Sequence, residues 1–332
     1  MIDNTPSLGT WASWHEPGAP IRLGVSACLL GQEVRFDGGH TRDPFVTETL
    51  GRWVEWVSVC PEVEMGMSTP RAAIRLVDTD EGQRLIAPST GEDFTQRMQA
   101  FAKKRSKQLA ELELDGYVLQ KNSPSCGLER ISVYRGSQRA HRKGVGMFVQ
   151  ALQAQMPQLP MEEDGRLNDH ALRDNFIERI FCRHRWRTLA RRDASRGRLV
   201  EFHTAHKMLL RTHGEAGYAR LGNIVANAPK LGVAALFKEY ETQFHACLQT
   251  LATNKRHANV LQHALGYFKL QLDPVEKREI LSAIADYRTG LLPLVVPLTL
   301  IRFQIRKHEN AYLTGQLYFD PHPKELMLRN HS

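Results

Sequence analysis

Three cysteines in this chain stand where chemistry is possible. Cys28 opens CLLGQEVRFDGGH, Cys60 opens CPEVEMGMSTPR and Cys126 sits in KNSPSCG, all turn-rich and polar stretches far apart in the chain. The absence of any C-x-x-C pair argues against a zinc ribbon or a thioredoxin-type redox motif. Closed structural zinc sites take four ligands, whereas a three-ligand site keeps one position open for water or substrate. Iron-sulfur clusters are normally held by four Cys thiolates, so a cluster held by three leaves one iron exposed as a Lewis acid. The other reading is three buried cysteines acting as small apolar side chains. The polar surroundings favour a shared metal or cluster, and residue types alone leave the alternative open.

The elements that must position these cysteines read as α/β. Residues 21–27 (IRLGVSA), 54–59 (VEWVSV) and 115–120 have strand character, with a helix expected over 44–53 and another over 93–112. Residues 73–77 and 84–87 flank an acidic, glycine-containing turn and predict a hairpin. Cys28 and Cys60 fall directly after the first and second strands, and Cys126 in the turn past the third. Strand and helix alternation implies parallel strands, which brings all three to one carboxyl edge, where open α/β sheets bind ligands.

The expected organisation is a flexible lead-in over residues 1–20, an α/β domain over 21–157, a Pro/acidic/Gly linker over 156–165 (MPQLPMEEDG), and an all-α domain over 165–332. The α/β domain is a mostly parallel sheet flanked by helices. In the second half, helical periodicity covers 168–194, 199–213, 218–226, 231–251, 256–268, 274–289 and 296–309. The formal charge of +8 is unevenly shared: residues 1–160 hold 18 Lys and Arg against 18 Asp and Glu, residues 161–332 hold 26 against 18. Such asymmetry suggests chemistry in the first half and a polyanion held by the second. No apolar run is long enough to span a membrane, and the N-terminus lacks the basic start and apolar core of a secretion signal. These features predict a cytoplasmic protein with no membrane partner, in which disulfides are not expected.

The motifs SACLLGQEVRFDGGH (26–40), CPEVEMGMSTPR (60–71), LQKNSPSCG (119–127) and GVGMF (144–148) resemble, in order, those of the thiouracil desulfidase family. Residues 165–330, with FHTAHKMLL, HANVLQHALGYF and PLVVPLTL, resemble the helical domain fused to it. The combination is similar to bacterial desulfidases that remove sulfur from 4-thiouridine in tRNA. The resemblance implies a 4Fe-4S cluster on Cys28, Cys60 and Cys126, easily lost in air, whose open iron takes the substrate sulfur. It implies Glu62 as catalytic base for water and proton carrier, as against a carboxylate at a strand end or an N-cap partner. Ser123 is taken as a second catalytic group, and Ser125, Asp37 and Ser26 as substrate-contacting positions. Serines in such a turn also simply bond local backbone, and Asp37 in Asp-Gly-Gly is equally a turn residue that orients Arg35. Gly38, Gly39, Gly127, Gly144 and Gly146 are read as close backbone approach to the cluster, and Cys182 and Cys247 as buried.

Residues 173–198 hold nine arginines. On a helix Arg183, Arg187 and Arg191 share one face, a stripe able to track a phosphate backbone. Lys207, one turn from His203 and adjacent to His206, joins them as an expected RNA contact, whereas H-x-x-H without a carboxylate is a weak metal signal. A solvated helix face explains any one of these residues equally well. The expected partner is thiolated tRNA and not DNA. Two other functions fit the same residues: desulfuration of free thiouracil or thiouridine nucleotides, and a cluster-based nucleic-acid-binding regulator without turnover.

Overall fold

The computed structural model describes residues 10–16 and 18–330. It divides into two compact units, Pro20–Asn168 and residues 169–330, the latter joined by the described N-terminal residues. The first unit is α/β and the second is helical.

The first unit is built on β1 (Ile21–Ser26), β2 (Val54–Val59), α1 (Pro61–Glu64), β3 (Arg75–Thr79), β4 (Gly82–Ile86), α2 (Thr95–Glu111), β5 (Gly116–Leu119), β6 (Ile131–Arg135), β7 (Gln138–Gly144), α3 (Met147–Gln155) and β8 (Met161–Glu163). One sheet runs β2-β1-β5-β8 with every pairing parallel. Its inner strands are mostly apolar because a parallel sheet is covered on both faces; β5 is buried at every residue and β1 at all but Arg22. The other sheet runs β4-β3-β6-β7 and is made of two hairpins, one from each crossover, joined by the parallel pairs Leu76↔Val133 and Val77↔Tyr134. Leu76, Met98, Leu109, Ile131, Val133, Phe148 and Leu152 are among the residues that close the core beneath α2 and α3.

The three expected strands, the first hairpin and the helix over 93–112 are all present. The segment over 44–53 is helical but irregular, a π-turn over Phe45–Thr49 followed by a 3-10 turn over Leu50–Arg52. The expected linker is not one. Residues 161–163 form β8, paired to β5 in the register Tyr117↔Met161 to Leu119↔Glu163, and their side chains are buried. The chain passes to the second unit after Asn168.

The second unit contains α4 (His170–Arg192), α5 (Arg196–His213), α6 (Glu215–Ala226), α7 (Val233–Leu248), α8 (Asn254–Leu265), α9 (Pro274–Thr289), α10 (Val295–Lys307) and α11 (Ala311–Thr314). Their starts are written in the sequence. Asp169, Ser195 and Thr253 each accept a backbone N–H of the first turn of α4, α5 and α8. Asp273 and Glu276 form a capping box around Pro274 at the head of α9, and Gly290 ends that helix in the left-handed conformation. Each such cap contributes about 1 kcal/mol. The core is aromatic: Trp186 stacks on Tyr240 at 5.2 Å, and Phe202 and Phe244 meet edge to face at 5.3 Å. The lead-in is not loose over residues 10–14. Thr10–Trp14 is a 3-10 turn whose Trp11 meets Phe181 at 5.9 Å and whose Trp14 meets Phe202 at 5.3 Å. Residues 1–9 lie outside the described residues.

Candidate active site

The carboxyl ends of β1, β2 and β5 open onto a cavity of ≈ 400 Å³, within the first unit and lined by Ser26, Cys28, Cys60, Glu62, Ser123, Ser125 and Cys126. This size lies at the lower end of ordinary ligand pockets. The chain leaves β1 toward β2 on one side, while β5 lies on the other. The cysteines therefore gather at the reversal of strand order where α/β sheets bind ligands.

Each cysteine is delivered by a different local device. Cys28 lies in the 3-10 turn Ala27–Leu30, closed by Gly31 at φ +90°, and its carbonyl accepts Thr41 N–H at 3.0 Å. Cys60 is the extended residue before α1, with Pro61 at the first helical position. Cys126 follows a reversal begun by Asn122 at φ +58°, a left-handed position that Asn tolerates. Ser123 Oγ accepts the N–H groups of Ser125 at 3.3 Å and Cys126 at 3.1 Å, fixing that turn locally. The turn is tied to the start of α3, where Met147 and Phe148 donate to the carbonyls of Pro124 and Ser125. A Cβ on Gly146 would lie 2.4 Å from the Ser125 carbonyl oxygen, and one on Gly127 would lie 2.8 Å from that of Ser123. These glycines admit the loop's own backbone. Gly144 likewise packs against Ile131 and Val133.

Beside the thiols runs a polar chain. Ser125 Oγ donates to Glu62 Oε1 at 2.6 Å, and Arg71 holds Glu62 Oε2 with Nε at 2.8 Å and its second nitrogen at 2.7 Å. Arg71 also donates to the Val34 carbonyl at 2.8 Å. Because the single Ser125 proton goes to Glu62, the 3.0 Å contact between Ser123 and Ser125 has Ser123 as donor. The order is therefore Ser123 to Ser125 to Glu62. The Glu62 and Arg71 side chains are only 12% and 5% exposed. Burying such a pair costs desolvation that its attraction seldom more than repays, so stability is a weak explanation for placing it against a cavity.

Contacts of the thiols include Cys28 Sγ to Gln120 Oε1 at 3.6 Å, Cys60 Sγ to the Val34 carbonyl at 3.8 Å, and Cys126 Sγ to Ser125 Oγ at 3.8 Å. Burial pushes all three thiols above the usual range. Cys126 is raised furthest, by burial and then by the charges of Glu62, Cys60 and Cys28. Among the described residues no three His, Cys, Asp or Glu side chains stand close enough together to share a single metal ion.

The residues picked from sequence are distributed as follows. Glu62, Ser123, Ser125, Ser26 and the three cysteines meet in the cavity. Ser26 Oγ accepts Gln120 N–H at 3.0 Å and so fixes β5 beside β1. Asp37 does not line the cavity; it closes its turn through Gly39 N–H at 3.1 Å and pairs with Arg35. The arginine stripe is not open along its length, because α4 is buried around most of its circumference. Arg183 and Arg187 are half-buried, Arg191 is exposed, and the intervening Arg185 is a core residue. Lys207 is half-buried on α5. His206 is occupied by Phe202 and Arg185, and His203 by Tyr240, so neither is arranged as a metal ligand. Cys182 and Cys247 are buried in the second unit. Sequence reading passed over Arg71, the last residue of CPEVEMGMSTPR, and Phe36, a 42% exposed ring at the cavity with Arg35 5.6 Å from its centroid. The available signal was their position inside long motifs that already held Cys60 and Cys28.

Fold and site together define an α/β unit with a thiol-lined cavity at the sheet's carboxyl edge. The chain belongs to the 2-thiouracil desulfurase family, whose model matches residues 23–164, and residues 207–323 match a family of unknown function, DUF1722. It is 30% identical over 158 residues to the uncharacterized protein YbgA of Escherichia coli (strain K12), covering 47% of this chain and 94% of that protein. It is 32% identical over 108 residues to the uncharacterized protein YbbK of Bacillus subtilis (strain 168), covering 31% of this chain and 71% of that protein. A solved structure titled as a 4Fe-4S-dependent thiouracil desulfidase, TudS, is similar at 26% identity and a TM-score of 0.38, over 44% of this chain and 93% of that one.

Proposed function

We propose that this protein is an iron-sulfur-cluster-dependent desulfidase that converts 4-thiouridine in tRNA to uridine and sulfide. The observation that carries this reading is the meeting of Cys28, Cys60 and Cys126 with the Glu62–Arg71 pair in one cavity. The donor set fits a cluster. Cys28 and Cys126, buried, and Cys60, half-buried, line the same space, and thiolates are the ligands that iron-sulfur clusters take. Their ionisation is opposed by burial, and that of Cys126 also by Glu62, Cys60 and Cys28, an opposition that a cationic group would relieve. When bound through three thiolates, such a cluster supplies an open Lewis-acid position with affinity for a soft thiocarbonyl sulfur.

The chain's own residues then have these roles. Glu62 takes a proton from a water molecule in the cavity, using the lone pairs that Ser125 and Arg71 leave unoccupied. Arg71 fixes the carboxylate in place from behind, and the Ser123–Ser125 relay fixes it from the side. The water oxygen bonds to the ring carbon that carried sulfur, and the carbon–sulfur bond breaks. Both water protons end on sulfur, one of them by way of Glu62. No electrons are gained or lost.

A polynucleotide substrate is supported by the excess of Lys and Arg in residues 161–332 and by the need to bring a base out of its stack into such a cavity. Thiolated tRNA would place the protein in the cytoplasm; no described helix is long and apolar enough to cross a membrane. The test is an anaerobic reaction of iron-reconstituted protein with thiolated tRNA and, separately, with free 4-thiouridine and thiouracil, followed by loss of thiocarbonyl absorbance and by sulfide release. The expected result is turnover of the tRNA, falling steeply with salt. Turnover of the free compounds alone would replace the tRNA reading, and full activity without iron would overturn the cluster.

A further inference from the structure

The loop that follows Cys28 carries an aromatic ring to the cavity. Among the described residues of the first unit, Phe36 and Leu112 are the large apolar side chains left exposed, and Phe36, at 42%, lines the cavity together with the thiols and Glu62. Its backbone is tied on both sides. Gly38 N–H donates to the Arg35 carbonyl at 3.0 Å and Arg35 N–H to the Gly39 carbonyl at 3.2 Å, a tight turn in which Gly38 takes the left-handed φ of +81°. Arg71 N–H donates to the Phe36 carbonyl at 2.9 Å, and the Arg71 guanidinium donates to the Val34 carbonyl at 2.8 Å. The same guanidinium holds Glu62. One residue therefore fixes the place of the ring and the place of the carboxylate. Arg35 stands 5.6 Å from the ring centroid. Burial raises the Cys28 thiol, and the Thr41 bond and the Arg35 charge oppose that rise, so the charge on this loop reaches the cysteines.

We propose that Phe36 is the stacking surface for the substrate's pyrimidine ring, a specificity-determining residue that holds the ring plane in register with Glu62. The inference deepens the desulfidase reading above and rests on it. A lone exposed ring is too small an apolar area to dock a protein. A flat heteroaromatic ring is the ligand that an aromatic face suits, since any base can stack on it whatever its substituents. Because the loop is already tied through Arg35, Gly39 and Arg71, the ring needs little ordering when a ligand arrives. A phenyl face has no donor or acceptor. Phe36 therefore reads flatness and not the atom attached to the ring, and selection for sulfur is left to the thiol side of the cavity. It follows that the product ring, with oxygen in place of sulfur, is held on the same surface.

Two measurements test this, the first without turnover. Uridine 5′-monophosphate, which carries no sulfur, is titrated with the iron-free full chain while its two carbon-bound base protons are followed by NMR, because protons laid over an aromatic face move upfield. Saturable upfield movement is expected with the unaltered chain and with Phe36→Trp, and its loss with Phe36→Leu, which keeps apolar bulk without a ring. In the iron-reconstituted chain, Phe36→Leu should raise KM for the thiolated substrate about 5- to 100-fold with kcat changed less than about threefold, and Phe36→Trp should bring KM back to within about threefold. These substitutions leave the loop in place, since the ring is exposed and Arg71 is held by the Phe36 carbonyl. No upfield movement with the unaltered chain, equal movement with Phe36→Leu, or an unchanged KM would overturn the proposal. Absence of sulfide release with the upfield movement retained would remove the desulfidase reading and leave Phe36 as a pyrimidine-stacking residue.

Discussion

The two units use the same polar residue types in opposite ways. In the second unit several buried polar groups are consumed by one another. Arg185 donates to the Pro321 carbonyl at 2.8 Å, to His206 at 3.3 Å and to Cys182 Sγ at 3.2 Å. His213 has the Thr250 carbonyl and Glu178 carboxylate oxygens each 2.6 Å from a ring nitrogen. In the first unit the three thiols make contacts of 3.6–3.8 Å and line one cavity. Cys247 also has a carbonyl at 3.8 Å, that of Leu210, so what sets the first unit's cysteines apart is the cavity they line.

The sharpest way to break this comparison is to exchange sulfur for oxygen on both sides. Serine at Cys28, Cys60 or Cys126 should remove sulfide release and the iron-sulfur absorbance of reconstituted protein together. Serine at Cys182 or Cys247 should leave both in place while lowering stability by about 1–3 kcal/mol in a urea titration. Equal loss on both sides would collapse the distinction. A smaller effect is expected at Glu62→Gln, which keeps the shape but not the base: turnover should fall about 10²- to 10⁴-fold with the absorbance unchanged. A non-catalytic cluster regulator would show no such split, because it has no turnover to lose.

The smallest effect on turnover belongs to Glu178→Gln. Burial alone would raise this carboxyl, but the His213 bond and charge and then Arg329 outweigh it and hold its pKa down at about 2. A depressed carboxylate contributes stability above its ordinary pKa and loses it as pH falls toward about 2. The unaltered chain should therefore weaken across that acid window, and the variant should lose about 3–5 kcal/mol near neutrality and depend less on acid. Melting curves between pH 2 and 7 read both.

Much of this was legible because the governing signals are local. Strand ends before Cys28 and Cys60, the acidic turn of the first hairpin and the cap residues Asp169, Ser195, Thr253 and Asp273 act within a few residues of what they control. Residues 156–165 were misread because proline and acidic residues usually mark exposed chain. Here Glu163 accepts Leu128 N–H at 2.8 Å and Asp164 accepts Lys121 N–H at 2.8 Å. The carboxylates that resemble a linker hold the Cys126 loop from either end, and a three-residue strand is too short for periodicity to reveal. The openness of the arginine stripe was equally hidden: four-residue spacing fixes which residues share a face, but only packing decides whether that face meets solvent.

The parallel pairing of β3 with β6 has one more consequence. Cys60 lies between β2 and β3, and Cys126 between β5 and β6, so both stretches are anchored in one sheet before the thiol and in the other after it. Folding therefore settles where the sulfurs stand before any cofactor arrives. Under the cluster reading proposed above, loading would resemble filling a finished mould more than ordering a slack chain, with the entropy of arranging the ligands charged to folding and not to cofactor capture.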